Sequence, residues 1–247
     1  MKIDILTLFP EMFEGVFEHS IIERARKNGL VQINLHNLRD WATDKHKKVD
    51  DNPYGGGAGM VLRIDVLDKA IDSLKSKVKS QKLKVILLTP QGKQFNQKIA
   101  KTLSSHSNII LICGHYEGFD ERVRKLVDEE ISIGQYVLTG GEIPAMVVTD
   151  AITRLLPGVL GKDESNQEES FSMDKLIADD EGFENCKLKI ENCLEYPQYT
   201  KPENYKPISK KYNRSLKVPK ILLSGNHALV KKWRLAQSLK KTKRQIP

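Results

Sequence analysis

The sequence has little of what a disulfide-rich or membrane-bound protein requires. Its 247 residues include only three cysteines, Cys113, Cys186 and Cys193, and no Cys-x-x-Cys pair. An odd and scattered set argues against both a disulfide framework and a zinc site. No apolar stretch reaches the ~18–20 residues that span a bilayer. The short N-terminal apolar run is interrupted by Asp4, which does not fit a signal peptide. We expect a cytoplasmic protein that does not enter a membrane.

Two common nucleotide-binding motifs are absent as well. The glycine-rich loops contain no Gly-Lys-Ser/Thr, so none of them is a phosphate loop of the Walker type. They also lack the Gly-x-Gly-x-x-Gly turn of a dinucleotide-binding fold.

The charge is divided unevenly along the chain. Residues 201–247 contain fourteen Lys and Arg against one acidic residue, Glu203, which leaves a net −5 for the first 200 residues of a chain with a total of +8. A basic segment joined to a slightly acidic body indicates a polyanion-binding module beside a domain with another task. A lysine-rich solvated face is the alternative, and charge alone does not decide between them.

Hydrophobic periodicity predicts an α/β domain with a parallel sheet. Residues 84–89 and 108–113 are near-continuous apolar runs, typical of strands covered on both faces. Val31, Ile33 and Leu35 alternate with polar residues, as in a strand. Apolar residues recur at helical spacing in three segments: Val66, Leu67, Ala70, Ile71 and Leu74; Phe95, Ile99, Ala100 and Leu103; and Val123, Leu126 and Val127.

Composition divides the chain into three parts. Residues 1–161 form the predicted α/β domain. Residues 162–196 are predicted to be a flexible linker, because eleven acidic residues and four lysines lie between 162 and 195. Residues 197–247 are predicted to be a small, basic and helical module. Its helix should begin after Asn226, with Leu229, Trp233, Ala236 and Leu239 on one face and Lys231, Lys232, Arg234, Lys240 and Lys241 on the other.

Three glycine-containing loops follow apolar runs, at 89–92, 114–118 and 132–142. Loops at the carboxyl ends of parallel strands converge on one crevice, where open α/β sheets bind ligands. Each loop taken alone is equally consistent with an ordinary turn. A fourth glycine-rich stretch, 54–60, is either a flexible loop or a wall for a flat base, and the sequence does not choose.

The segment 142–156 is predicted to be a helix that is buried on most sides, including against another subunit. Asp150 and Arg154 lie four residues apart on one face of it. They form either an internal ion pair or an arrangement in which Arg154 meets an anionic or developing negative charge at a subunit interface.

Several long motifs occur in the same order along this chain as in a known family. They are Leu-Phe-Pro-Glu-Met-Phe (8–13), Val-Asp-Asp-Asn-Pro-Tyr-Gly-Gly-Gly-Ala-Gly-Met-Val-Leu (49–62), Cys-Gly-His-Tyr-Glu-Gly-Phe-Asp-Glu-Arg-Val (113–123), Ser-Ile-Gly-Gln-Tyr-Val-Leu-Thr-Gly-Gly-Glu-Ile-Pro-Ala-Met (132–146), Pro-Gln-Tyr-Thr-Lys-Pro (197–202) and Leu-Ser-Gly-Asn-His (223–227). Over nearly its whole length the chain closely resembles bacterial tRNA (guanine37-N1)-methyltransferases of the knotted SPOUT superfamily.

The resemblance implies a fold and a cofactor. The fold is a parallel-sheet SPOUT domain with a deep trefoil knot, followed by a small, mostly helical C-terminal domain, in a homodimer. S-adenosylmethionine is bound in the knot, largely through backbone groups. The implied cofactor-binding residues are Pro90, Gly114, Tyr116, Glu117, Gly118, Ile133, Gly134, Gln135, Tyr136, Val137, Leu138, Gly140 and Gly141.

The implied substrate is the anticodon stem-loop of tRNA with guanosines 36 and 37. Guanine N1 carries a proton at neutral pH, so its methylation needs a general base. The resemblance makes Glu169, just before Ser170 and Phe171, the candidate base, and Arg154 the candidate partner of guanine O6, from opposite subunits. The target base is expected to be flipped out of its stack.

The chain departs from the family pattern at several positions. Glu169 replaces the usual aspartate, and the adjacent Glu168 leaves the register of the base open. Gln135 stands where aspartate is usual, and residues 172–192 are inserted. The family tends to use Mg²⁺, for which Glu117 is a candidate ligand; its carboxylate is equally a candidate contact for the methionine end of the cofactor.

Two other functions are weighed against this one. A non-catalytic RNA-binding protein would explain the basic tail and the unusual Glu169. A related methyltransferase that acts on ribosomal RNA would share the cofactor site. A non-catalytic RNA-binding protein would not bind S-adenosylmethionine, so a binding measurement distinguishes the first alternative from the methyltransferase. Methylation of tRNAs that differ only at guanosine 37 distinguishes the second alternative.

Overall fold

The computed structural model describes residues 1–78, 82–160, 169–171, 193–208 and 215–244, and the backbone of 175–177 and 188–190. The described chain forms two compact units, Met1–Asp163 and Glu164–Pro247. The predicted linker (162–196) and insertion (172–192) lie mostly outside the described residues.

The first unit is built on a five-stranded sheet. Its strand order is β2-β1-β6-β5-β7, and every neighbouring pair is parallel. Two short strands, β3 and β4, form a separate antiparallel pair. This architecture confirms the predicted α/β class with a parallel sheet. The strands are β1 (Lys2–Thr7), β2 (Gln32–Asn37), β3 (Asp50–Asp51), β4 (Val61–Leu62), β5 (Leu83–Gln94), β6 (Asn108–Cys113) and β7 (Glu129–Ser132).

Helices cover both faces of the sheet, which is why its strands read as continuous apolar runs. Side chains of α1, α3 and α4 pack with Ile3, Ile5 and Ile109 on one face. Side chains of α2 pack with Leu6 and Ile110 on the other face. The helices are α1 (Ser20–Lys27), α2 (Ile64–Lys75), α3 (Gln97–Ser104) and α4 (Glu142–Thr153).

The helix predicted around Val123, Leu126 and Val127 is wrong. The segment forms only a short 3-10 helix, Glu121–Lys125. It cannot continue because Asp128 is tied to β5: the Val85 amide donates to the Asp128 carboxylate at 2.7 Å, and the Asp128 amide donates to the Val85 carbonyl at 2.9 Å. These bonds turn the chain into β7.

Helix α4 keeps an apolar stripe on its surface, and the predicted burial of this stripe against another subunit stays a prediction. Ala145, Val148 and Ile152 are buried against the sheet. Ile143 and Val147 are 46% and 42% exposed. Their spacing of four residues places them on one face of the helix.

The second unit combines short strand pairs with one long helix. β8 pairs with β9, and β10 pairs with β11, both antiparallel. In the part of the chain that the structure describes, no helix has the length and apolar character needed to cross a bilayer. The elements are β8 (Lys175–Ile177), β9 (Leu188–Ile190), β10 (Asn204–Tyr205), β11 (Leu216–Lys217), a 3-10 helix (Lys220–Leu223) and α5 (His227–Lys243).

Helix α5 begins as predicted, but it buries a different face. The Asn226 side chain caps it by accepting from the Leu229 amide at 3.1 Å. The predicted apolar face is wrong, since Leu229 and Ala236 are exposed, whereas Ser238 and Thr242 are buried. The predicted basic residues of this helix, Lys231, Lys232, Arg234, Lys240 and Lys241, are all exposed.

Two hydroxyl groups explain why α5 buries a different face from the predicted one. The Ser238 hydroxyl donates to the Leu194 carbonyl, and the Leu194 amide donates to the Thr242 hydroxyl at 2.9 Å. Buried backbone groups require hydrogen-bond partners, so these hydroxyls face the segment that contains Leu194.

Candidate functional site

A cavity of about 550 Å³ lies where the carboxyl-terminal parts of β5, β6 and β7 lead into their loops. The structure therefore brings the three glycine-containing segments together, as the strand pattern predicts. The predicted loop 89–92 is wrong in one respect, because it is an irregular part of β5 at which the pairing with β7 shifts register between Leu88 and Lys93. Of the predicted cofactor-binding residues, those that line the cavity are Pro90, Gly114, Tyr116, Glu117, Gly118, Ile133, Gly134, Tyr136, Val137, Leu138, Gly140 and Gly141.

Gln135 is the predicted cofactor-binding residue that does not line the cavity. It lies in a tight turn in which the Ser132 hydroxyl donates to the Gly134 carbonyl at 2.9 Å. Gln135 itself is exposed. Its role in cofactor binding stays a prediction.

The cavity walls approach each other through their main chains. The Gly141 amide donates to the Gly114 carbonyl at 2.8 Å. A Cβ at Gly141 would lie 2.6 Å from the Cα of Cys113, and a Cβ at Gly92 would lie 2.5 Å from the amide nitrogen of Ile131. Glycine is needed at both positions because only a residue without a side chain allows this approach.

The glycine-rich loop 54–60 borders the loop that follows β6. The Glu117 amide donates to the Met60 carbonyl at 3.0 Å, and the Leu62 amide donates to the Gly118 carbonyl at 2.9 Å. Tyr54, near the start of the glycine-rich loop, is fully exposed. The structure thus places this loop beside the cavity wall, and its role as a wall for a base stays a prediction.

Sequence reasoning missed a buried pair that positions the start of α4. Glu142 is 2% exposed and accepts a hydrogen bond of 2.7 Å from the hydroxyl of Thr7, at the end of β1. Burial, with a smaller contribution from the charge of Glu142, raises the pKa of the Cys113 thiol well above its usual value. Because 135 residues separate Thr7 and Glu142, no local sequence signal joins them.

Arg124 and His115 are among the cavity-lining residues that were not predicted. Arg124 lines the cavity and pairs with Glu121 at 2.9 Å, with Glu130, and with the side chain of Gln91. These contacts join the 3-10 helix 121–125 to β5 and β7. Arg124 directly follows the 113–123 motif but carries no distinctive sequence signal of its own.

His115 is the second of these unpredicted residues. It lies between the rings of Phe9 and Tyr116, with centroids 4.9 and 4.8 Å away. Its Nδ1 atom is buried and has no hydrogen-bond partner among the described residues. A buried polar nitrogen of this kind is best satisfied by a ligand or an ordered water.

A charged pair fixes the end of the loop 114–120. The Arg122 guanidinium donates to both carboxylate oxygens of Asp120, at 2.8 and 2.6 Å. These bonds lower the pKa of Asp120 to about 2. Asp120 therefore stays ionised at neutral pH and caps the 3-10 helix, accepting from the Arg122 amide at 3.0 Å.

The two predicted catalytic residues belong to different units. Arg154 follows the last residue of α4, is partly exposed, and its amide donates to the Asp150 carbonyl at 3.1 Å. Glu169 is partly exposed in the second unit, where the adjacent Ser170 hydroxyl accepts from the Glu195 amide at 3.1 Å. The alternative base, Glu168, lies outside the described residues.

The described ranges contain no group of three or more His, Cys, Asp or Glu side chains able to hold a metal ion. Glu117, the candidate ligand for Mg²⁺, is exposed at the cavity. Mg²⁺ is usually held by one or two carboxylates together with water and substrate phosphates, so the role of Glu117 stays a prediction.

Comparison with known proteins gives one consistent family. The family described as tRNA (Guanine-1)-methyltransferase TrmD matches residues 1–247. A protein of Geobacter sp. (strain M21), named tRNA (guanine-N(1)-)-methyltransferase, is 51% identical over 98% of this chain and 86% of its own length. Proteins of the same name from Dictyoglomus turgidum and Staphylococcus epidermidis are 50% and 49% identical, over 98% and 100% of this chain and 86% and 89% of their own lengths.

Proposed function

The chain belongs to the tRNA (guanine-1)-methyltransferase family, and from this premise we propose that it transfers a methyl group from S-adenosylmethionine to N1 of guanosine 37 in tRNA. The family match confirms the predicted enzyme class. The observation that carries the proposal is the cavity formed by the three loops in a chain of this family. We expect the enzyme to act in the cytoplasm.

The residues of the cavity fit S-adenosylmethionine. A volume of about 550 Å³ lies within the ~300–1,000 Å³ of ordinary ligand pockets. Walls made largely of main chain offer amides and carbonyls to an adenosine, and the unpartnered Nδ1 of His115 offers one further polar contact. When bound, the cofactor supplies a methyl group on a sulfonium, which is a good leaving group.

The trefoil knot is part of the proposal. The sheet order β2-β1-β6-β5-β7 supports it, as does the main-chain contact between Gly114 and Gly141. The family resemblance implies that the three glycine-containing segments form the knot. Such topologies are rare exceptions among protein folds.

The chain's own residues would provide deprotonation and charge stabilisation. We assign Glu169 as the base that removes the N1 proton. We assign Arg154 as the donor that stabilises the negative charge developing on O6. The loops of the cavity then hold the methyl group in line with N1, which is an orientation effect. The family tends to use Mg²⁺, and Glu117 stays its candidate ligand.

The surface of α4 supports a homodimer. Ile143 and Val147 leave apolar area exposed, and Tyr136 and Val137 are exposed in the preceding loop. Contiguous exposed apolar surface marks an interaction site. In a twofold dimer the same face meets itself, and the proposal includes that Arg154 and Glu169 of one site come from opposite subunits.

The substrate assignment is tested by methylation of matched tRNAs. We expect methyl transfer from labelled S-adenosylmethionine to a tRNA with guanosines 36 and 37, and none when guanosine 37 alone is replaced by adenosine. Transfer to both RNAs, or to ribosomal RNA instead, would contradict the assignment. Absence of cofactor binding in calorimetry would favour the non-catalytic RNA-binding function.

Replacement of Arg154 should lower turnover without loss of cofactor affinity. Removal of one donor that stabilises a developing oxyanion costs ~10²–10³ in kcat, so we expect this loss for Arg154→Ala. Arg154→Lys keeps a charge but loses the planar fork and should recover only part of the rate. Full single-turnover rates in the alanine variant would refute the assigned role.

A further inference from the structure

The second unit contains a cleft that the methylation site does not use. It has a volume of about 330 Å³ and is lined by residues of the extended segment 196–201 and of the 3-10 helix Lys220–Leu223. Glu203, Val218, and Val230 and Arg234 of α5 complete its lining. We call it the aromatic cleft, because Tyr196 and Tyr199 are among its walls.

The extended segment 196–201, which forms one wall of the aromatic cleft, is held in place by contacts with α5. Leu194, just before this wall, is bound to the hydroxyls of Ser238 and Thr242 on α5. The Arg234 guanidinium lies over the Tyr196 ring, 4.6 Å from its centroid. These contacts fix the segment along the helix, so the cleft is formed before any ligand binds.

The cleft presents an exposed aromatic surface in a basic environment. Tyr199 is 48% exposed, and its ring lies 6.3 Å from that of Trp233. Two cations, Lys201 and Arg234, and one carboxylate, Glu203, line the same cleft, and Glu203 is the only acidic residue of the sequence between 201 and 247. Aromatic rings beside cationic side chains bind single-stranded nucleic acid, because every base has a face that can stack.

We propose that the aromatic cleft binds one unpaired nucleoside of the tRNA, with its base against Tyr199 and its phosphate near Lys201 and Arg234. The identification of the RNA as tRNA rests on the proposed function. A volume near the lower end of ordinary ligand pockets suits one nucleoside. An acidic peptide would use the cations but would leave the exposed tyrosine ring without a stacking partner.

The test compares two tyrosines of similar exposure in the full-length protein. Tyr199 lines the cleft, whereas Tyr205 in β10 is 46% exposed and does not line it. Tyr199→Ala should raise the Kd for fluorescently labelled tRNA by about tenfold, which is the effect of one base–aromatic stack. Tyr205→Ala should change it less than twofold, and Tyr199→Phe should restore binding. Circular dichroism checks that all three variants are folded.

A salt titration separates stacking from charge. Each lost phosphate contact lowers the slope of log Kd against log salt by roughly one. Tyr199→Ala should therefore weaken binding with an unchanged slope, whereas Lys201→Ala should reduce the slope. A changed slope in the tyrosine variant would contradict stacking.

The fluorescence of Trp233 can report binding at the cleft. The sequence has one other tryptophan, Trp41, which can be replaced so that the emission comes from Trp233 alone. In a Trp41→Phe background, a single-stranded RNA should quench the emission of Trp233 through the adjacent Tyr199 site. Polyglutamate of equal charge should not quench it. Quenching by polyglutamate alone would indicate an acidic protein as the ligand and would overturn the proposal.

Kinetic measurements distinguish a failure of this proposal from a failure of the proposed function. In the methylation assay, Tyr199→Ala should raise the KM for tRNA by about tenfold and leave kcat and cofactor affinity unchanged. Normal methylation with an unchanged KM and Kd overturns the aromatic cleft alone. If the wild type binds tRNA in a Tyr199-dependent way but transfers no methyl group, the proposed function fails and the cleft stands.

Discussion

Replacement of Gly141 by alanine should weaken binding of S-adenosylmethionine by at least about tenfold. The added Cβ would lie 2.6 Å from the Cα of Cys113 and 2.6 Å from the amide nitrogen of Gly114. Both obstacles are main chain, so no rotation of a side chain relieves the clash, and the two loops must separate. Overpacking of this kind costs ~1–3 kcal/mol, and the displaced loops include walls of the cavity. We expect cofactor affinity to fall by at least about tenfold in calorimetry.

Gly158→Ala is the matched control. Gly158 also lies in the first unit, but a Cβ there would meet only a Leu30 methyl group at 3.8 Å, and its φ of +78° makes alanine costly for conformational reasons. This variant should destabilise the unit and leave cofactor affinity unchanged. Equal losses of affinity in both variants would show that general instability, and not the close approach at Gly141, is the cause.

Replacement of Glu169 by alanine should reduce methyl transfer by ~10²–10⁴, the usual contribution of a general base. Single-turnover rates with saturating tRNA and cofactor would measure this loss. Glu169→Asp should keep much of the activity, since a carboxylate remains, whereas Glu169→Gln should not. Cofactor and tRNA affinities should be unchanged in all three. If Glu168→Ala shows the loss and Glu169→Ala does not, the base is the neighbouring residue.

Mixed dimers test whether Arg154 and Glu169 act across the subunit interface. Arg154→Ala and Glu169→Ala chains, each inactive alone, would be co-expressed with different tags and the mixed dimer purified. In a cross-subunit arrangement, one site of the mixed dimer has both residues intact, so about half of the wild-type rate should return. If both residues of a site come from one subunit, every site carries a substitution and no activity returns.

The sheet could be predicted because its strands are covered on both faces. In β5, residues 85–88 are all buried, as are residues 109–113 in β6, so each strand stands out as an apolar run. The convergence of the three loops then follows from the geometry of parallel strands. The convergence of the glycine-containing segments could thus be predicted from the strand pattern, whereas the individual cofactor-binding residues came from the family resemblance.

Polar contacts between distant residues account for what the sequence did not reveal. Hydrophobic periodicity predicted the wrong buried face for α5. Ser238 and Thr242 are buried because their hydroxyl groups form hydrogen bonds with the main chain of Leu194. Asp128 ended the helix predicted near Val123 by bonding to Val85. Such bonds depend on which segments meet in the fold, and local patterns do not contain that information.

The position of β1 has a consequence for synthesis of the chain on the ribosome. β1 pairs with β2 on one side, Lys2 opposite Gln32, and with β6 on the other, Lys2 opposite Asn108. The unit β1-α1-β2 can form early, but at ~5–20 residues per second roughly 4–15 s pass before β6 is made. During this interval one edge of a strand that contains Ile3 and Ile5 has no partner, and unpaired apolar edges promote aggregation. Elongation speed through residues 38–113 thus sets how long the nascent chain depends on chaperones.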